Sequence, residues 1–191
     1  MVRVLPFTAI HEGYKRCVHS LNMQKEKGLD FVYVASGESH KNHRQLVEAW
    51  CLLAKEGLFP SLKLTLDSAH FAELSSWIEK KIEKYRLNVE NVGNLPHAQI
   101  KQLYDQVDAL IYPSTFESFG LPLIEATQAG LPVLASELDY VRDVLDPEQT
   151  FDPESAVSIA RAVKRFLGLD EQPLPLMDAA QFIASILEKA E

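Results

Sequence analysis

Two carboxylates, Glu117 and Glu125, stand with seven residues between them in the stretch Tyr112 to Val133, YPSTFESFGLPLIEATQAGLPV. A carboxylate accepts hydrogen bonds from hydroxyl groups, and such charge-assisted bonds are the stronger kind. Ser118, Phe119, Gly120, Leu121 and Pro122 lie between them, which predicts a loop turning into a helix whose first position is Pro122 and whose first turn holds Glu125. The start of a helix offers unpaired backbone amides and the positive end of its dipole, a fit for an anion such as a pyrophosphate. Gly120 lets that anion approach the backbone closely. A pyrophosphate seated there would direct one substituent over the loop toward Glu117 and the other along the helix toward Glu125, so one Glu would hold a sugar and the other a ribose. Lys41 follows the loop Ala35 to His40 and supplies a point charge for the same anion. Taken without a ligand, Glu125 is also good electrostatics for a first helical turn, and Glu117 an ordinary loop carboxylate.

Positioning these groups requires elements on both sides. Phe31–Val34 (FVYV) is expected as a buried strand, followed by a helix beginning at Lys41 with Leu46, Trp50, Leu53 and Ala54 inward, ended near Gly57 and Pro60. Leu62–Leu66 is a second strand, and Phe71, Leu74, Trp77, Ile78, Ile82 and Tyr85 mark the apolar face of a second helix whose other face is Lys and Glu. Val89–Leu95 gives a short strand and turn, and Pro96 opens a short helix through Tyr104. The apolar runs Asp108–Tyr112 and Pro132–Ala135 flank the helix that carries Glu125. A turn near Tyr140, an extended piece at Thr150 and Phe151, and a helix from Pro153 to Gly168 follow. Alternating short strands and amphipathic helices predict an α/β, doubly wound parallel sheet with helices on both faces. Ligands of such sheets lie beyond the carboxyl ends of the strands, here the loops at Ser36, Asp67, Gly93 and Ser114. Residues 1–28 read as a linker or N-terminal tail, 29–168 as the domain and 169–191 as a C-terminal helix. Trp50 and Trp77 read as core, and His40 and His43 as solvated or capping.

Composition narrows the classes. The formal charge is -8, with 27 Asp and Glu against 19 Lys and Arg, which disfavours nucleic acid or an anionic membrane as the main partner. Cys17 and Cys51 make neither a zinc spacing nor a disulfide framework, and no apolar run is long enough to span a bilayer, so free thiols and a cytoplasmic location are expected. The six histidines show no zinc-ligand pattern. Gly-x-Gly-x-x-Gly after the first strand, a Walker loop and a Gly-x-Ser-x-Gly elbow are all missing, which argues against a dinucleotide dehydrogenase, a phosphate-loop NTPase and an α/β-hydrolase.

The combination of Glu117, Phe119, Gly120, Leu121, Pro122 and Glu125 with Pro113-Ser114 before it and Ala129–Val133 after it resembles the donor-binding half of retaining GT-B glycosyltransferases of family 4. FVYV, Lys41-Asn42, Leu46, Ala49 and Asn91-Val92-Gly93 extend the resemblance over roughly Phe31 to Leu167. It implies a Rossmann-like domain forming one half of a GT-B fold, with Glu117 at the donor sugar, Glu125 on the ribose hydroxyls, and the amides of Phe119, Gly120 and Leu121 facing the diphosphate. Lys41 would neutralise the leaving diphosphate; Ser36 and Gly37 would lie on the donor side, and Gly93 beside the base. It further implies transfer with retention, neither metal nor cofactor, no protein nucleophile, and an N-terminal acceptor domain that this chain lacks and through which any membrane contact would run. The partner implied is a nucleoside-diphosphate sugar, and the isolated chain is expected to bind donor and transfer little. Where the family has Gly-Arg after the first strand, this chain has Ala35-Ser36 and so lacks a second cation on the diphosphate, a difference of about 1.5–3 kcal/mol for one charged hydrogen bond. A non-catalytic nucleotide-sugar binding module or partner subunit is the alternative.

Overall fold

A computed structural model describes residues 29–169; the tail expected over 1–28, the helix expected near the C-terminus and Cys17 lie outside the described residues. Among the described residues six strands form one sheet: β1 (Asp30–Tyr33), β2 (Ser61–Leu64), β3 (Val89–Asn91), β4 (Ala109–Tyr112), β5 (Val133–Ser136) and β6 (Gln149–Phe151). Their order is β3-β2-β1-β4-β5-β6 and every pairing is parallel. Six α-helices alternate with them: α1 (His43–Lys55), α2 (Ala72–Tyr85), α3 (His97–Tyr104), α4 (Leu121–Gln128), α5 (Asp139–Arg142) and α6 (Ala156–Phe166). All four residues of β4 and of β5 are buried, as are Phe31, Val32 and Tyr33 of β1. A strand buried at successive residues is covered on both faces, because its side chains alternate between them. The sequence expectation of a Rossmann-like sheet with helices on both faces is met.

The order reverses between β1 and β4, where successive crossovers leave to opposite sides and a crevice opens at the strands' carboxyl ends. Below it the core is aromatic. The ring of Phe31 meets Trp50 edge-on at 5.7 Å and Phe166 at 5.8 Å, which holds α1 and α6 on β1. The Trp50 indole N–H donates to the Pro60 carbonyl at 2.9 Å, so its one polar atom is satisfied inside the core.

Several boundaries differ from the sequence expectation. Lys41 does not begin α1: it ends a 3-10 turn, Ser39–Lys41, and Asn42 at φ 62° breaks the chain before His43. That left-handed residue is held by its own side chain, whose Nδ2 donates to the carbonyls of Pro113 (3.0 Å) and Pro153 (2.7 Å). Trp77 is half-buried rather than core, with the charged heads of Arg44 and Lys81 over its ring at 4.8 and 5.1 Å. His43, expected to be solvated or capping, is buried against the ring of Tyr33 at 4.8 Å.

Candidate functional site

The strands β1 and β4 each end in a buried tyrosine, and the two rings meet edge-on at 5.6 Å. The Tyr33 hydroxyl donates to the Lys41 carbonyl at 2.6 Å and lies 3.1 Å from the Ser114 hydroxyl, so it ties the loop after β1 to the loop after β4. The Ser114 carbonyl is held in turn by the hydroxyls of Ser136 (2.9 Å) and Tyr140 (2.8 Å). Above this layer the Lys41 ammonium donates to both oxygens of Glu117, at 2.7 and 2.9 Å, and the Tyr112 hydroxyl donates to one of them at 2.9 Å. The two side chains are only 16% and 9% exposed, so this pair is not an ordinary surface ion pair.

The electrostatics follow from that geometry. Burial pushes the Glu117 carboxyl up, but hydrogen bonds from Lys41, Ser114 and Tyr112 outweigh it and hold the group below the usual carboxylate range. Burial, together with the neighbouring carboxylate and tyrosines, raises the Tyr112 phenol far above its ordinary value, so it remains a donor. His43, desolvated and close to the positive Lys41, is lowered to about 4 and stays neutral; neither ring nitrogen has a partner among the described residues.

The pair opens onto a cleft of about 580 Å³ bounded by Ala35, Ser36, Glu38, Thr65, Asp67, His70, Asn94, Leu95, Tyr112, Ser118, Phe119, Leu121 and Pro122. Three strand ends thus contribute besides β4, as the sequence placed them at Ser36, Asp67 and the Gly93 turn. The Asn91 side chain joins two of these loops by accepting from the Leu66 amide at 2.9 Å and donating to the Leu66 carbonyl at 3.0 Å. The Thr65 hydroxyl accepts from the Ala35 amide at 3.1 Å, which ties the loop after β1 to the end of β2.

The predicted residues fall into three groups. Lys41, Glu117, Ser36, Phe119 and Leu121 line this cleft, while Gly120 at φ 65° caps α4 beside it. Leu121 is the first helical residue, so Pro122 stands second and Glu125 falls in the second turn, one residue deeper than expected; the left-handed Gly120 makes the turn that starts the helix early. Glu125 lines a neighbouring cleft of about 550 Å³ with His97, Lys101, Tyr104 and Gln128, and Leu121 forms the wall common to both. Its carboxylate is 25% exposed and 3.5 Å from His97 Nδ1. Gly37 and Gly93 stand apart. A Cβ at Gly37 would lie 2.3 Å from the Phe71 ring, so its missing side chain admits Phe71, and Gly93 at φ +79° serves the turn after β3. Tyr33, Tyr112 and Asn42 were not singled out for the site from the sequence. Tyr33 and Tyr112 read as apolar strand residues, and only their position at the carboxyl ends of adjacent strands betrays the hydroxyls' role.

A doubly wound domain with a cleft at its β1/β4 switch point, a paired Lys and Glu there, and a glycine-capped helix beside it places its ligand crevice at the carboxyl ends of its central strands. Residues 20–181 match the family Glycosyl transferases group 1, and the chain belongs to that family, with the fold of a GT-B C-terminal domain. Among its relatives is the serotype-specific mannosyltransferase WbdA of Escherichia coli, 32% identical over 145 residues, which make up 74% of this chain and 18% of that protein. The chain therefore spans less than a fifth of that relative. The crystal structure of the C-terminal domain of a glycosyl transferase group 1 family protein, LpcC from Francisella tularensis, superposes with a TM-score of 0.64 at 17% identity, covering 74% of this chain and 76% of that one. Anabaena Alr3699/HepE, solved with UDP and glucose, gives 0.62 at 18% identity over 73% of this chain and 39% of its own.

Proposed function

We propose that this domain holds the nucleoside-diphosphate sugar of a glycosyl transfer reaction, with the diphosphate in the cleft at the β1/β4 switch point and the ribose in the neighbouring cleft at Glu125. The observation that carries this reading is the bidentate Lys41–Glu117 pair facing the start of α4: a cation and an acceptor fixed side by side, next to backbone amides suited to an anion. Leu121, the wall common to the two clefts, lets one ligand occupy both. Glu117 holds hydroxyls of the donor sugar, Glu125 those of the ribose, and the amides of Phe119, Gly120 and Leu121 face the phosphates. Gly93 belongs to the turn at the base, and Ser36 and Gly37 to the loop that closes the phosphate side.

The reaction proceeds with retention and without a metal or a protein nucleophile. Glu117 suits this, because a carboxylate engaged by Lys41 and Tyr112 and held below its usual range is a poor nucleophile and a weak base. It orients the sugar, while Lys41 answers the charge that develops on the departing diphosphate. Acceptor binding and turnover belong to a further domain, and the whole protein builds a glycan in the cytoplasm from a hexosyl donor. Mannosyl is the first sugar to test, since the 32% identical relative is a mannosyltransferase.

Calorimetric titration with UDP, GDP and ADP, repeated on Glu125→Ala, tests the site. Saturable binding of one diphosphate that the substitution removes is the expected result; no binding of any of the three would refute it. One observation favours a non-catalytic binding module instead: Ser36, whose hydroxyl donates to Glu38, brings no cation to the cleft. Ser36→Arg in the full-length protein separates the readings, since a transferase weakened at this position gains rate, whereas a module gains affinity alone.

A further inference from the structure

The charge balance of the cleft is unfavourable for the ligand just assigned. Glu38, Asp67 and Glu117 stand around it against one ammonium, and that ammonium is already shared between both oxygens of Glu117. A diphosphate entering here meets a net negative wall unless a second cation is supplied. Besides Lys41, the basic side chain on that wall among the described residues is His70, in the loop between β2 and α2.

His70 is built into place. Its backbone amide, like that of Ala69, donates to Asp67 Oδ1 at 3.0 Å, which folds the loop back over the end of β2. Its ring packs edge-on against Phe71 at 4.7 Å, and Phe71 in turn occupies the space left open at Gly37. The loops after β1 and β2 are thereby interlocked, with the imidazole on the rim of the cleft that Lys41 and Glu117 also line.

We propose that His70, in its protonated form, is the second cation on the donor diphosphate, so that the protein takes up a proton at His70 when the donor binds. The proposal rests on the donor-site reading above. Histidine is the side chain that gains charge between about pH 8 and pH 5 without a large shift, and an arriving dianion favours the charged form. The groups facing it are Asp67 on its own loop, Glu38 and Lys41 on the loop after β1, and Glu117 on the loop after β4. On the far side, in the groove it also borders, are His43, Arg44 and Glu48 of α1 and Glu73 of α2. The proton comes from solvent, so donor affinity rises as pH falls.

The test is calorimetric titration of the bound diphosphate in two buffers of different ionisation enthalpy, at about pH 6 and pH 8. Wild type is expected to take up a fraction of a proton at the higher pH and to bind roughly tenfold more tightly at the lower one, the scale of one charged hydrogen bond. His70→Gln removes both the uptake and the pH slope, while His70→Lys keeps the affinity and loses the slope. His97→Gln distinguishes the two histidines that border the clefts, because His97 lies beside Glu125 and away from Lys41. If His70→Gln leaves uptake and slope intact, or if His97→Gln removes them instead, the assignment to His70 is overturned while the donor site stands. If wild type binds no diphosphate at either pH, the donor-site reading fails and this one with it.

Discussion

Glu117 and Glu125 belong to one motif and live in opposite surroundings. Glu117 is nearly buried, with Lys41 on both oxygens and Tyr112 on one; Glu125 is a quarter exposed and has a histidine at 3.5 Å as its neighbour. The first is fixed before any ligand arrives, by a layer of hydroxyls that the fold needs in order to close its two central loops. The second rides on α4, with the Tyr104 phenol and the His97 ring as its polar neighbours and no cation on both oxygens. Under the proposed donor-site reading, a rigid acceptor at the sugar and an adaptable one at the ribose is a sensible division, since misplacement costs most where bonds change.

Substitutions and pH should therefore separate the two regions, and the largest effect lies under Glu117. His43 is lowered to about 4 in the folded protein from an ordinary value near 6.5, so the unfolded chain binds its proton first as pH falls. Stability contributed by the neutral ring is complete above about pH 6.5 and declines by roughly 3 kcal/mol toward pH 4. Urea unfolding across that range should show the decline, and His43→Phe should flatten it. Lys41→Met comes next: it leaves Glu117 unpaired in a largely buried place and should cost about 2 kcal/mol, less than a fully buried pair would lose. The Glu117 carboxyl, held low in the wild type, should rise in that variant, as NMR titration of the side chain would show.

Tyr112→Phe removes one hydrogen bond to Glu117 and should cost about 1 kcal/mol, with the transfer rate of the full-length protein falling more than its donor affinity. Glu125→Ala should change stability least, by about 0.5 kcal/mol or less, while lowering diphosphate affinity at least about tenfold. A variant at Glu125 that unfolds as readily as Lys41→Met would erase the contrast between the two carboxylates.

The strand and helix pattern was open to sequence reading because burial on both faces leaves a strong mark: short apolar runs such as ALIY and VLAS, closed off by proline or polar residues, fit a strand covered on both sides. Glu117, Glu125 and Lys41 stood out as candidates because two of them flank the loop-to-helix turn at Gly120 and Pro122 and the third follows the loop after the first strand. Boundaries were less so. The start of α4 moved because Gly120 turns left-handed, and the start of α1 moved because Asn42 does the same while anchored to Pro113 and Pro153, far along the chain.

The sequence alone determined the order of elements, the doubly wound class and the pair of glutamates, because these depend on local periodicity and on residue type. Tertiary structure decided which partners those residues have: that Lys41 reaches Glu117 across 76 positions, and that Tyr33 and Tyr112 support the pair from below. It also decided that Glu125 faces a separate cleft, that Gly37 makes room for a ring and that His43 is buried and neutral. Those facts arise where β1 and β4, distant in the chain, become neighbours at the switch point, and no local pattern encodes the distance between two loops that only the sheet brings together.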